Sequence, residues 1–113
     1  MHSVSVIKSL LREPPETLEP LCYWFMKEYL ENYSIDLTIT HMDLSDEGVD
    51  GWCMREDEQE FLIQIDETLK GEEYTRTILH ECYHVMQHLL GIPQCEICAH
   101  LSEQINLDKY SQS

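Results

Sequence analysis

An α+β domain is the fold class this sequence predicts, and three observations carry that prediction. Residues 16–33 and 76–90 repeat their apolar side chains at helical spacing. Residues 35–44 and 60–66 alternate apolar and polar side chains, the period of a half-buried strand. The length, 113 residues, suits one domain with a modest core and no obligatory disulfides. The expected architecture has N-terminal helices, a three-stranded antiparallel sheet, a helix beneath the sheet and a last helix, all in one domain spanning residues 1–113.

Residues 1–12 carry Val4, Val6, Ile7, Leu10 and Leu11, which predicts a short helix ended by Pro14-Pro15. Residues 16–33 predict a second helix with Pro20 in its first turns, burying Leu21, Trp24, Phe25 and Tyr29. Residues 35–44 set Ile35, Leu37, Ile39 and His41 on one face of a strand. Asp46-Glu47-Gly48 is a turn. Residues 50–54 read as a short strand pairing with 60–66 through an acidic turn at 55–58. Phe61, Ile63 and Ile65 then share one face of the 60–66 strand.

The helix carrying residues 76–90 has no internal Gly or Pro; Gly71 precedes it, Glu72 and Glu73 occupy its first turn, and Gly91 with Pro93 closes it. It contains His80-Glu81-Cys82-Tyr83-His84, an H-E-x-x-H pattern. Two histidines four apart lie about one turn apart on one face, so both imidazoles can bind a single Zn²⁺. Glu81 sits beside the metal position, where it can take a proton from water. That combination is a metallopeptidase arrangement. A strand followed by this helix resembles the active-site order of the zincin metallopeptidases. In that fold the strand borders the cleft and can bind an extended peptide by strand addition.

A catalytic zinc needs a third protein ligand and one position for water. A last helix, expected to begin at Pro93, aligns Glu96, His100 and Glu103 at i, i+4 and i+7. Residues 50–107 resemble small gluzincin-like proteins that include the ImmA/IrrE family, which carry Glu-x-x-Ala followed by Asn or Asp. Here the chain reads Glu96-Ile97-Cys98-Ala99-His100, so the resemblance makes Glu96 the third ligand, and His100 departs from the pattern. Reach argues otherwise. His84 lies about 9 Å before the helix end at Leu90, and a tight return would bring a residue near 100 level with it. The expected metal set is therefore His80, His84 and Glu96, with His100 and then Glu103 as alternatives.

Cys95 and Cys98 support a rival reading, a closed Cys₂His₂ zinc site with His84 and His88 in an acidic binding or inhibitor protein. Cys22, Cys53 and Cys82 read as free core thiols. An odd five cysteines without framework spacing predict a reducing, cytoplasmic setting. No apolar run approaches the roughly 20 residues of a membrane span. The net charge of −15 gathers between residues 43 and 73, which disfavours nucleic acid and favours a basic protein or peptide substrate. The expected chemistry is peptide-bond hydrolysis with Glu81 as general base. Tyr74, Tyr110 and His100 are the candidates for stabilising the oxyanion.

Overall fold

The computed structural model of the chain describes residues 1–7 and 15–113. Within them the strands are β1 (His2–Ile7), β2 (Ile35–Met42), β3 (Gly51–Arg55) and β4 (Glu60–Asp66). The helices are α1 (Leu18–Tyr29), α2 (Gly71–Leu90) and α3 (Glu96–Ser111), with one 3₁₀ turn at Ser45–Glu47. The α+β class holds. The sheet is four-stranded and mixed, in the order β1-β2-β4-β3, rather than three-stranded and antiparallel.

Two corrections explain that difference. His2–Ile7 form a strand, not the start of a helix; Leu10 and Leu11 lie outside the described residues. Ser3-Val4-Ser5-Val6 alternates with period two, and β-branched valines favour the pleated surface. β1 runs parallel to β2, with Val4 beside Leu37. A parallel neighbour needs a long crossover, and the segment carrying α1 supplies it. The second correction concerns β4. It pairs antiparallel with β3 as expected, yet lies parallel to β2, Ile63 beside Ile39. Phe61, Ile63 and Ile65 are fully buried, so β4 takes a central position, and the half-exposed β3 goes to the edge.

The helices cover one face of this sheet. Ile35, Leu37, Ile39 and His41 of β2 are buried while the residues between them are not. They meet Leu18, Leu21, Cys22, Phe25 and Met26 of α1 and Tyr74, Ile78, Leu79, Cys82 and Val85 of α2 in one continuous core. Pro20 is tolerated because it falls at the third residue of α1, ahead of the first internal hydrogen bonds. α1 is shorter than expected, and Trp24 and Tyr29 are only half-buried, reserved for α3. Trp24 meets the Tyr110 ring edge-on at 5.3 Å, and Tyr29 donates its hydroxyl proton to Asn106 Oδ1. Those contacts dock the far end of α3. Asp66 closes the sheet end by accepting from the Leu44 amide at 2.9 Å and from Thr68. Among the described residues no helix is long and apolar enough to cross a membrane.

Candidate metal centre

α2 is placed by its apolar stripe, and that placement aims the opposite side of the helix at a cleft. The cleft is about 630 Å³ and lies between the β3 edge, α2 and the start of α3. His80, Glu81 and His84 line it. Burying Ile78, Leu79, Cys82 and Val85 leaves residues 80 and 84, one turn apart, to form one wall. Their rings meet edge-on with centroids 4.9 Å apart. His84 and Glu81 are buried, and His80 is half-buried.

Glu96 enters from α3. Its Oε2 lies 2.8 Å from His80 Nε2, and its Oε1 lies 3.0 Å from His84 Nε2. Ligand atoms of His80, His84 and Glu96 all fall within 4.8 Å of one another, close enough to hold a metal ion. The reach argument for His100 fails for a local reason. Gly91 ends α2 in the left-handed region, φ +67°, which glycine adopts freely. α3 begins at Glu96 rather than Pro93, with Cys95 as its N-cap. Residues 92–95 carry no helix, and an extended stretch covers about 3.3 Å per residue. Four such residues span more than the 9 Å from Leu90 back to His84, so Glu96 draws level with the histidines. His100 lies outside the cluster, mostly exposed, with Nδ1 3.3 Å from Glu103 Oε2.

The remaining ring nitrogens are held as metal ligation requires. His80 Nδ1 lies 2.8 Å from Glu103 Oε2, and His84 Nδ1 lies 2.7 Å from Gln87 Oε1. Both partners can accept a proton from Nδ1; with a cation between Glu96 and the two imidazoles, each Nε2 would present a lone pair to it. The His84 Nε2 atom is buried and makes no hydrogen bond, although Glu96 Oε1 is 3.0 Å away. Two acceptors that close, aimed past one another, are what a shared cation would satisfy. Two imidazoles and one carboxylate suit Zn²⁺. Carboxylate or amide support of a ligating histidine raises its basicity and fixes its orientation. Glu103 and Gln87 stand where such supports would be. The sequence marked Glu103 as a third-choice ligand and did not single out Gln87, although i+3 spacing from His84 on the same face was visible.

Electrostatics follow the geometry. Burial pushes the Glu81 carboxyl up to about 7; the adjacent His80 opposes this, and Glu96 and Glu103 add to it. Burial lowers His80, but the Glu103 and Glu96 carboxylates outweigh it and hold the imidazole above its ordinary value. Glu96 is held low: its partial burial acts upward, and both histidines overcome it. Burial also pushes the Cys53 thiol, on the β3 wall, well above its usual range.

Other expectations sort clearly. Among the described residues only His80, His84 and Glu96 form such a ligand group, so the Cys₂His₂ set with Cys95, Cys98 and His88 is not assembled. His88 packs on Phe61 at 5.9 Å instead. Tyr74 is buried against His41, 2.6 Å from its Nε2, and Tyr110 packs on Trp24. Of the three oxyanion candidates only His100 lines the cleft. Among the described residues Arg76 is the one basic residue there apart from the histidines; it pairs with Glu72 at 2.9 Å and with Gln104. No protein-family model matches this chain, and neither a curated protein nor a solved structure matches it.

Proposed function

We propose that this chain is a zinc-dependent metallopeptidase acting on a dedicated protein or peptide with basic segments near the cleavage site. The observation that supports it most is one carboxylate, Glu96, within 3.0 Å of Nε2 of both H-E-x-x-H histidines, with buried Glu81 in the same cleft. His80, His84 and Glu96 would hold the ion, while Glu103 and Gln87 keep the imidazoles in the ligating tautomer. Zn²⁺ would supply Lewis-acid polarisation of a carbonyl and of water.

Glu81 takes a proton from the attacking water and returns it to the leaving amine. A carboxyl raised to about 7 is matched to that exchange near neutral pH. His100 stands at the rim, where its imidazole can donate to the developing oxyanion. β3 rather than β4 is the strand that offers a free edge, with Gly51, Trp52 and Cys53 on the cleft wall. An extended peptide can pair there through main-chain hydrogen bonds. Asp50, Glu73, Glu96 and Glu103 outnumber Arg76 around the opening, which favours basic substrate residues. The order of strand, H-E-x-x-H helix and Glu96-x-x-Ala99 supports kinship with zincins of the ImmA/IrrE type.

The test is a zinc-loaded protein incubated with basic proteins and peptides, with new N-termini read by mass spectrometry. Glu81→Gln should keep zinc and lose the cleavages. Cleavage undiminished in that variant would exclude Glu81 as the base and end the mechanism as written.

A further inference from the structure

We propose that Cys95 and Cys98 form a reversible disulfide that sets the affinity of the neighbouring site for its metal. The two residues bracket Glu96; Cys53, the other partly exposed thiol, lies apart from them on β3. Cys98 is exposed and Cys95 half-exposed, whereas Cys22 and Cys82 are buried. Cys95 caps α3, and its Sγ accepts the Cys98 amide proton at 3.2 Å. Cα atoms three residues apart on a helix are about 5 Å apart, inside the roughly 4.4–6.8 Å that a disulfide spans. The pair can therefore close without moving the helix axis.

Two routes connect this pair to the metal centre. Glu96 follows Cys95 directly and would lie inside the closed ring. The Cys95 carbonyl also accepts from Gln87 Nε2 at 3.4 Å, while Gln87 Oε1 holds His84 Nδ1 at 2.7 Å. Cys95 is thus linked to Glu96 through the chain and to His84 through the Gln87 amide. Closing the ring draws its sulfur off the Cys98 amide and turns its peptide plane. That movement tilts Glu96 and takes away a partner of Gln87, so the oxidised form binds metal more weakly.

The reaction is thiol–disulfide exchange with an oxidised low-molecular-weight disulfide such as oxidised glutathione. One sulfur attacks, forming a mixed disulfide and releasing the first glutathione thiol; the other sulfur then closes the ring and releases the second. Two electrons pass to glutathione, and its two thiols carry off the two protons.

The effect on affinity rests on the metal centre proposed above; the disulfide itself does not, and the experiment separates them. The full chain is equilibrated in glutathione buffers from reduced to oxidised. Alkylation with intact-mass analysis counts the free thiols, and a chromophoric chelator reports zinc affinity in the same samples. Both thiols of the pair should disappear together under oxidising conditions, with zinc affinity falling about 10–100-fold, as when a ligand's support is lost. Cys98→Ser should bind zinc as tightly as the reduced wild type in every buffer. A disulfide without change in affinity, or a pair that stays reduced while Cys53 oxidises, would overturn the switch. Zinc loss in the serine variant under reducing conditions would make sulfur a ligand and overturn it too. Failure of the reduced wild type to bind zinc would remove the metal centre and with it the switch, while the thiol count would still report the disulfide.

Discussion

α2 and α3 both deliver side chains to the cluster, but they are anchored differently. α2 buries Tyr74, Ile78, Leu79, Cys82 and Val85 against the sheet and α1, so the backbone under His80 and His84 is set by the core. α3 fully buries only Ala99, Glu103 and Asn106; Leu107 and Tyr110 pack partly on the core, while Ile97, Leu101 and Ile105 are 72 %, 65 % and 59 % exposed. Polar and aromatic contacts hold it: Glu103 to His80, Asn106 to Tyr29, Tyr110 to Trp24 and Gln104 to Arg76. The histidine pair is therefore preorganised by hydrophobic burial. Glu96 sits on an element that a bound ion would tie down, in the way metal binding contributes folding free energy elsewhere.

Loss of zinc on ligand removal should be the largest effect, and it should differ between the helices. His84→Ala is expected to abolish tight binding of about one Zn²⁺ per chain. Glu96→Ala should weaken binding by more than about 100-fold yet leave a weak two-histidine site, since α2 keeps its geometry. Metal analysis after gel filtration and chelator competition check both. Equal residual binding in the two variants would break the comparison.

Stability should show the same contrast directly. Leu79→Ala empties fully buried space and should cost about 2–5 kcal/mol in denaturant unfolding. Leu101→Ala on α3 should stay within about 0.5 kcal/mol. A loss at Leu101 rivalling that at Leu79 would mean its exposed face is covered in solution.

The third effect depends on pH. Glu81 holds its proton up to about 7 in the folded chain against an ordinary 4.5, because burial disfavours the charge. The folded state thus binds the proton more tightly than the unfolded state. This group's contribution to stability is full below 4.5 and is lost as pH rises through about 7, at most about 3 kcal/mol. In metal-free protein, Glu81→Gln should melt above wild type at pH 8 and close to it at pH 4.5. An identical offset at both values would show that Glu81 ionises at no cost.

The smallest effect separates the support from its neighbour. Glu103→Gln should lower zinc affinity about 10–100-fold by weakening its hold on His80 Nδ1. His100→Ala, whose ring touches Glu103 from the solvent side at 3.3 Å, should change it less. The reverse order, by chelator competition, would move His100 into the metal's own shell.

Much of this was legible residue by residue. The alternation of Phe61, Ile63 and Ile65, the stripe of α2 and the one-turn spacing of His80 and His84 are local periodicities, and each element formed where its period said. The resemblance to Glu-x-x-Ala pointed to Glu96, and the fold places that carboxylate 2.8 Å from His80 Nε2 and 3.0 Å from His84 Nε2. Residues 2–7 form a strand rather than a helix because a valine–serine alternation carries period two beneath their scattered apolar residues.

Local pattern dictates which residues share a face of a helix or strand, since backbone geometry alone sets periods of 3.6 and 2. It does not dictate which strands become neighbours or where a turn returns the chain. β4 lies beside β2 because its three buried side chains needed a central place, a competition among all the strands for one core. Glu96, rather than His100, meets the histidines because Gly91 stops α2 and residues 92–95 run extended before α3 begins. Such distances are sums over many backbone angles and packing contacts, so they exist only in the folded whole.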